Sequence, residues 1–292
     1  MINLKKYKLN KIPFFSVIIP TFNSEDTILK TLKSVKKQTF KDFQIIIIDD
    51  GSKDETTSLI NSFTIESALD ITLIEKNNSG GPAAPRNLGI SSSIGQWICF
   101  LDSDDYWFAN KLNDAYIYLK NHEGRDVLTS NEIMIYNKKK TKLVYGPSTQ
   151  NFYIDLLKKG NKLSTSATIV KKKFLVEKKI MFNEDINFSS VEDYDFWLQI
   201  AKQGGRFKFL NKFHGLYLPN KNSISKNRLQ HFKNTRNVVN FHYSRLDNIN
   251  KKLLLFLTIK IRIFISFLLI SFKERDPKLF FEVIRKIFSY KI

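Results

Sequence analysis

The chain has 292 residues, 42% of them hydrophobic, which is enough for one large domain and an appendage. Its 47 Lys/Arg against 28 Asp/Glu leave a formal charge of +19, while one cysteine rules out a disulfide within the chain and, with four histidines, argues against a zinc site. Such a charge favours anionic partners, yet no zinc-ligand spacing and no aromatic RNA-binding signature accompanies it, so nucleic acid is not expected as a partner.

Residues 1–13 are basic and polar, with no apolar run before Phe14, and do not read as a signal peptide; cytosolic residence is the resulting expectation. Apolar runs then predict strands over 14–20, 43–49, 70–76 and 96–101. Between them, Ile28, Leu29, Leu32 and Val35 form a helical stripe over Glu25–Lys37, and Lys53–Phe63 and Pro85–Ser93 read as further helices. Pro82 and Pro85 fall at the entry of the third, where a missing N–H is tolerated. This alternation predicts an α/β fold with parallel strands. Beyond it the pattern changes: helix over Asn110–Lys120, strands over Val127–Tyr136 and Lys142–Tyr145 around a solvated Lys138-Lys139-Lys140 tip, and a strand over Thr165–Val170. Val191–Gln203 reads as a helix stopped by Gly204-Gly205.

Acidic side chains collect where the predicted strands end. Trp97 to Leu101 runs into Asp102-Ser103-Asp104-Asp105, and Ile45 to Ile48 runs into Asp49-Asp50-Gly51-Ser52. The first strand ends at Pro20-Thr21-Phe22-Asn23. Ligands of open parallel sheets gather beyond the carboxyl ends of the strands, so three such ends suggest one site. Crowded carboxylates call for a compensating cation, and oxygen-only ligands favour a hard divalent ion over zinc.

These segments, with Arg86-Asn87-Leu88-Gly89-Ile90 and Glu192-Asp193, resemble the family 2 glycosyltransferases of inverting GT-A type that build bacterial surface glycans. The resemblance covers residues 14–220. It implies a nucleotide-sugar-binding mixed sheet flanked by helices, with a UDP-sugar as donor and Mn2+ or Mg2+ as cofactor. On that resemblance Pro20, Thr21 and Asn23 would lie against the base, Asp50 would accept the uracil imide N–H, and Asp49 would hold that geometry. Gly81 and Arg86 would belong to the phosphate-side loop. Asp102 and Ser103 would face ribose or a metal-bound water, and Asp104, with Asp102, would hold the metal. Asp105 would stand behind the metal or approach the sugar. Asp193 would be the general base and Glu192 its neighbour, with Tyr194 and Trp197 as an acceptor shelf, Trp197 reading equally as a core residue. Many relatives carry Arg-x-His before a Ser-x-Ser; here Leu218 and Asn220 stand in those places, leaving Lys221 or His214 as substitutes.

Residues 221–292 hold 16 Lys/Arg against 4 Asp/Glu. Residues 221–250 read as a linker with some helix. Leu253 to Phe272 is apolar apart from Thr258, Ser266, Ser271 and the mid-segment Lys260 and Arg262. Each of those cations would cost about 2.5–3.5 kcal/mol at the centre of a spanning helix. A basic, apolar helical extension lying on the inner face of the cell membrane avoids that cost. The acceptor expected from this combination is a glycan or lipid-linked glycan. The alternatives are direct transfer to a polyprenyl phosphate or a non-catalytic module that binds nucleotide sugar or membrane.

Overall fold

The computed structural model describes residues 12–219, 228–246 and the single positions 258, 261 and 265. Residues 1–11 and nearly all of the basic apolar extension therefore lie outside the described residues. Four strands form the parallel half of the sheet: β1 (Phe15–Thr21), β2 (Phe43–Asp49), β3 (Ile71–Glu75) and β4 (Trp97–Phe100). Helices α1 (Ile28–Lys36), α2 (Thr56–Ser67) and α3 (Ala83–Ser92) connect them. The second half contains β5 (Tyr106–Trp107), α4 (Lys111–Asn121), β6 (Val127–Tyr136), β7 (Lys139–Leu143), α5 (Phe152–Lys159) and β8 (Thr168–Lys171). It closes with α6 (Lys172–Glu177), α7 (Glu192–Lys202), β9 (Phe207–Tyr217) and α8 (Arg228–Ser244).

The strands lie in the order β3-β2-β1-β4-β8-β6-β9-β5, with β7 paired to β6. β8 runs antiparallel to both β4 and β6, which makes the sheet mixed as expected. Side chains alternate between its faces, so each buried strand feeds two cores. Val17, Ile19, Ile45, Ile47, Cys99 and Leu101 meet α1, α2 and α4 on one face. Ile18, Ile46, Ile48, Ile98 and Phe100 meet α3, α5, α7 and α8 on the other. Gly89 of α3 lies so close to β1 that a Cβ there would fall 2.4 Å from Ile18 Cγ2.

Several expectations are corrected. Tyr194 and Trp197 are buried in the second core, Tyr194 donating its hydroxyl to the Leu156 carbonyl at 2.7 Å, so neither forms a shelf. Residues on every side of α7 beyond its first turn are needed for packing, and aromatic size serves that end. The lysine tip is narrower than expected: Asn137 and Lys138 make the turn at positive φ, and Lys139 and Lys140 already belong to β7. Within the stretch read as linker, α8 docks on α7, burying Asn234, Val238, Val239 and His242. Its His242 Nε2 lies 2.8 Å from Asp195 Oδ1, and the Asn234 amide donates to the Ser189 carbonyl at 2.8 Å. Among the described residues no helix is long and apolar enough to cross a membrane.

Candidate active site

The carboxyl ends of β1, β2 and β4 open into a cavity of about 740 Å³. Pro20, Thr21, Asn23, Asp50, Gly81 and Arg86 line it, as do Asp102, Ser103, Asp104, Glu192 and Asp193. Asp49, expected to hold the Asp50 geometry, lies outside the wall. It is buried beneath the β2 turn and accepts from the backbone N–H of Ser52 at 2.9 Å and from its hydroxyl.

Short polar ties fasten the three strand ends to one another. Asn23, at φ 45°, receives the Lys53 N–H at 2.9 Å and donates its own N–H to Ser52 Oγ. Ser24 Oγ and Ser103 Oγ are 2.9 Å apart, joining the ends of β1 and β4. Gly51, at φ +80°, lets the turn after β2 approach Asn78; a Cβ would stand 2.9 Å from the Asn78 nitrogen. The Thr21 hydroxyl is buried in the wall without a hydrogen-bond partner among the described residues, an acceptor or donor awaiting a ligand. Asp50 is more committed: Lys76 Nζ lies 2.6 Å from Oδ1, which also receives the Ser79 hydroxyl at 2.8 Å. Its Oδ2 takes one bond, from the Ser79 N–H at 3.1 Å, and is the less occupied oxygen.

The three acids after β4 diverge. Asp102 Oδ1 accepts from Arg86 at 2.7 Å. Asp104 is half-buried, and burial followed by the neighbouring Asp102 pushes its carboxyl up to about 6. Asp105 turns inward, accepting from Ser166 Oγ at 2.6 Å and from the Leu218 N–H at 3.1 Å. Burial first, then Glu132 and the two neighbouring aspartates, hold Asp105 well above the usual carboxylate range. Leu218 thus serves the site through its backbone. His214 does not serve it: its Nε2 pairs with Asp114 Oδ2 at 2.8 Å, away from the cavity wall, and Lys221 lies outside the described residues.

Arg86 connects the two halves of the cavity. With 4% of its surface exposed, it donates to Asp102 from one amino group and to Glu192 Oε1, at 2.8 Å, from the other. Burial works against its charge, but Asp102 and Glu192 hold the guanidinium above its ordinary value. Glu192 Oε2 has no hydrogen-bond partner among the described residues. Beside it, burial and the Glu192 charge push the Asp193 carboxyl up to about 7 against the pull of Arg86. Asn161 donates to Asp193 Oδ2 at 2.8 Å, leaving the carboxylate fixed in direction. Both acids sit in the first turn of α7, where the helix dipole favours negative charge.

The far wall is built from Leu143, Tyr145, Ser164, Thr165 and Tyr217; sequence reasoning looked to the 130–165 segment for pocket shape but singled out none of these residues. Tyr217 is pushed up to about 12 by burial and by Asp105, Asp104 and Asp102. It ends β9, directly before the Leu218 that the resemblance singled out, and that adjacency was the available signal.

No group of three or more His, Cys, Asp or Glu among the described residues is arranged to hold a metal ion alone. The donors present, Asp102 and Asp104, fit a hard divalent ion that takes its remaining oxygens from a bound phosphate. Their excess of carboxylate over cation, visible in the raised Asp104, is the deficit such an ion would fill.

Comparison with known proteins bears on the fold and the family. A poly(ribitol-phosphate) β-N-acetylglucosaminyltransferase, TarS of Staphylococcus aureus, is 39% identical over 39% of this chain, a match spanning only 20% of the relative's length. An Escherichia coli UDP-Glc:α-D-GlcNAc-diphosphoundecaprenol β-1,3-glucosyltransferase, WfaP, is 30% identical over 77% of this chain and 84% of its own. The crystal structure of S. aureus TarS 1–349 in complex with UDP-GlcNAc superposes with a TM-score of 0.67 at 22% identity, covering 85% of this chain and 71% of that one. It shares the fold. Residues 16–181 match Glycosyl transferase family 2, and the chain belongs to that family of glycosyltransferases.

Proposed function

We propose that the chain is an inverting, divalent-metal-dependent glycosyltransferase that moves a hexose or N-acetylhexosamine from a UDP-sugar to a glycan acceptor, lipid-linked in the cell, during surface polysaccharide or lipopolysaccharide synthesis. The observation that carries the reading is the Arg86 bridge. It ties Asp102, on the phosphate side of the cavity, to Glu192, next to a carboxyl whose protonation balance lies near neutrality. Donor end and acid pair thus face one space.

In this reading Thr21 and Asp50 hold the base, the imide N–H going to the open Asp50 Oδ2. Asp104 and Asp102 would hold Mn2+ or Mg2+, which when bound offsets the charge that gathers on the leaving diphosphate. Asp193 takes the proton of the acceptor hydroxyl as its oxygen bonds to the anomeric carbon. The bond from that carbon to the phosphate oxygen breaks, its electron pair leaving with UDP. A carboxylate with a pKa near 7 is well matched to that task at neutral pH. Glu192, oriented by Arg86, is the buried neighbour whose charge helps to raise Asp193. The donor and acceptor classes draw support from the activities of TarS and WfaP, and the basic extension supports peripheral residence on the inner membrane face.

The test is UDP release from a panel of UDP-sugars, with Mn2+ or EDTA, for wild type and Asp104→Ala, alongside calorimetric UDP binding. Slow hydrolysis of one donor, abolished by EDTA and by the substitution, is expected. Neither release nor binding of any donor would defeat the assignment.

A further inference from the structure

The strand order acts as a ruler across the cavity. Thr21 and Asp50 stand at the β1/β2 end, Asp102 and Asp104 follow at β4, and Tyr145 and Tyr217 come last, beside β6 and β9. If the nucleoside takes the first position and the phosphates the second, as proposed above, what reaches the third is a sugar ring.

That third position is a built one. Tyr145 directs its hydroxyl proton to Glu132 Oε2 at 2.8 Å, and its backbone N–H donates to the adjacent Asn131 side chain at 3.0 Å. Neighbouring residues of β6 thereby hold both the ring and the chain of one cavity-lining tyrosine. The register between β6 and β9 shifts on both sides of Asn131, and such irregularities re-aim side chains beside functional sites. Opposite Glu132 stands Gly215, where a Cβ would fall 2.9 Å from the Tyr106 carbonyl and 3.6 Å from Glu132 Oε1. The glycine keeps that strand close without crowding the carboxylate.

Glu132 itself is 1% exposed. Burial raises its carboxyl; the Lys111 ammonium and the hydroxyls of Ser164 and Tyr145 pull it back, and Asp102 opposes them. A buried acid among other acids is a poor way to fasten a loop, since an apolar contact of equal volume would serve at least as well. Its effect on Tyr145 is specific, however. With the phenolic proton engaged by the carboxylate, the oxygen acts as an acceptor, toward the Ser164 hydroxyl and toward the cavity. We propose that Tyr145, oriented by the buried Glu132, accepts a hydrogen bond from a ring hydroxyl of the sugar in this cavity and discriminates among sugars by the presence of that hydroxyl. A site built to bond a hydroxyl rejects the analogue lacking it more strongly than an apolar wall does.

The inference rests on the UDP-sugar reading, and the experiment separates the two. Calorimetry measures UDP and UDP-sugar binding by wild type and Tyr145→Phe, and transfer kinetics measure acceptor KM. Expected is unchanged UDP affinity with about tenfold weaker binding of the UDP-sugar, if the hydroxyl is the donor's, or about tenfold higher acceptor KM, if it is the acceptor's. Tyr145→Phe matching wild type in both, or losing UDP affinity in proportion, overturns the proposal. Wild type that binds no UDP defeats the donor reading and this one with it. Should Phe at 145 disturb the fold, Glu132→Met removes the acceptor of the phenolic proton while nearly keeping the volume. It must then alter sugar discrimination at constant UDP affinity, and the proposal fails if it does not.

Discussion

Replacing Arg86 by methionine would strand Glu192, and the resulting loss can be bounded. The guanidinium and this carboxylate are 4% and 7% exposed at their side chains and 2.8 Å apart, whereas Asp102, the other partner, is 33% exposed. Water can rehydrate Asp102, so that pair contributes at most about 1 kcal/mol. Glu192 has no such recourse, since Oε2 already lacks a partner among the described residues. Removing one member of a buried pair costs about 3–5 kcal/mol, chiefly the penalty of the charge left behind. For a domain of this size about 1 kcal/mol shifts the melting temperature by roughly 2–4 °C, so Arg86→Met should lower it by about 6–20 °C. Urea titration and thermal melts of the ligand-free protein measure this. The decisive arm is the double variant Arg86→Met/Glu192→Gln, which removes the stranded charge and should recover more than half of the loss. Near-wild-type stability of Arg86→Met, or a double variant worse than the single, would refute the claim that this pair joins the two halves of the site.

Other expectations follow from the same geometry. Asp193→Asn should lower kcat by about 10²–10⁴-fold while UDP binding stays unchanged by calorimetry. The base must be ionised, so kcat/KM should rise with pH to a plateau above the Asp193 value of about 7; a profile flat from pH 5 to 8 would contradict the role. The sign for stability is opposite: a carboxyl raised from 3.8 stabilises the fold fully at low pH, and that contribution fades as pH rises through 7. Asp104→Asn should abolish the dependence of UDP affinity on Mn2+ and leave the melting temperature within a few degrees, readable by fluorescence melts. Gly89→Ala should destabilise by about 1–3 kcal/mol through its 2.4 Å approach to Ile18 Cγ2, with little change in the KM of protein that remains folded.

The parallel half of the fold was legible because its strands are buried on both faces. The run Ile45 to Ile48 can hardly be anything else, and the acids that follow it had to emerge at a strand end. β5 was not legible, being only Tyr106–Trp107, nor was α5, whose apolar residues follow a polar stretch without a distinct start signal. Asp102, Asp104 and Asp105 are equivalent on paper. Only the folded chain buries Asp105 and ties it to Ser166 and Leu218, while Asp104, in the same cavity wall, stays half-buried. Tyr194 and Trp197 misled because an aromatic beside catalytic acids reads equally as shelf or core, and the rotation of α7 decides. Tyr145 and Glu132 were invisible, because a pair separated by 13 residues across a hairpin leaves no periodic trace.

The fastening of α8 sets a lower limit on how much chain this site requires. The family match stops at residue 181, before α7 begins, yet α7 carries the acid pair and two residues later Asp195. That carboxylate is held by the His242 ring, itself backed by the Tyr153 hydroxyl at 3.2 Å. A chain shortened to end at 220 would keep every cavity-lining side chain described above and still bare a carboxylate in the core directly beneath the catalytic turn. The smallest autonomous unit is therefore set by a histidine outside the cavity wall, some sixty residues past the segment 16–181 that matches the family.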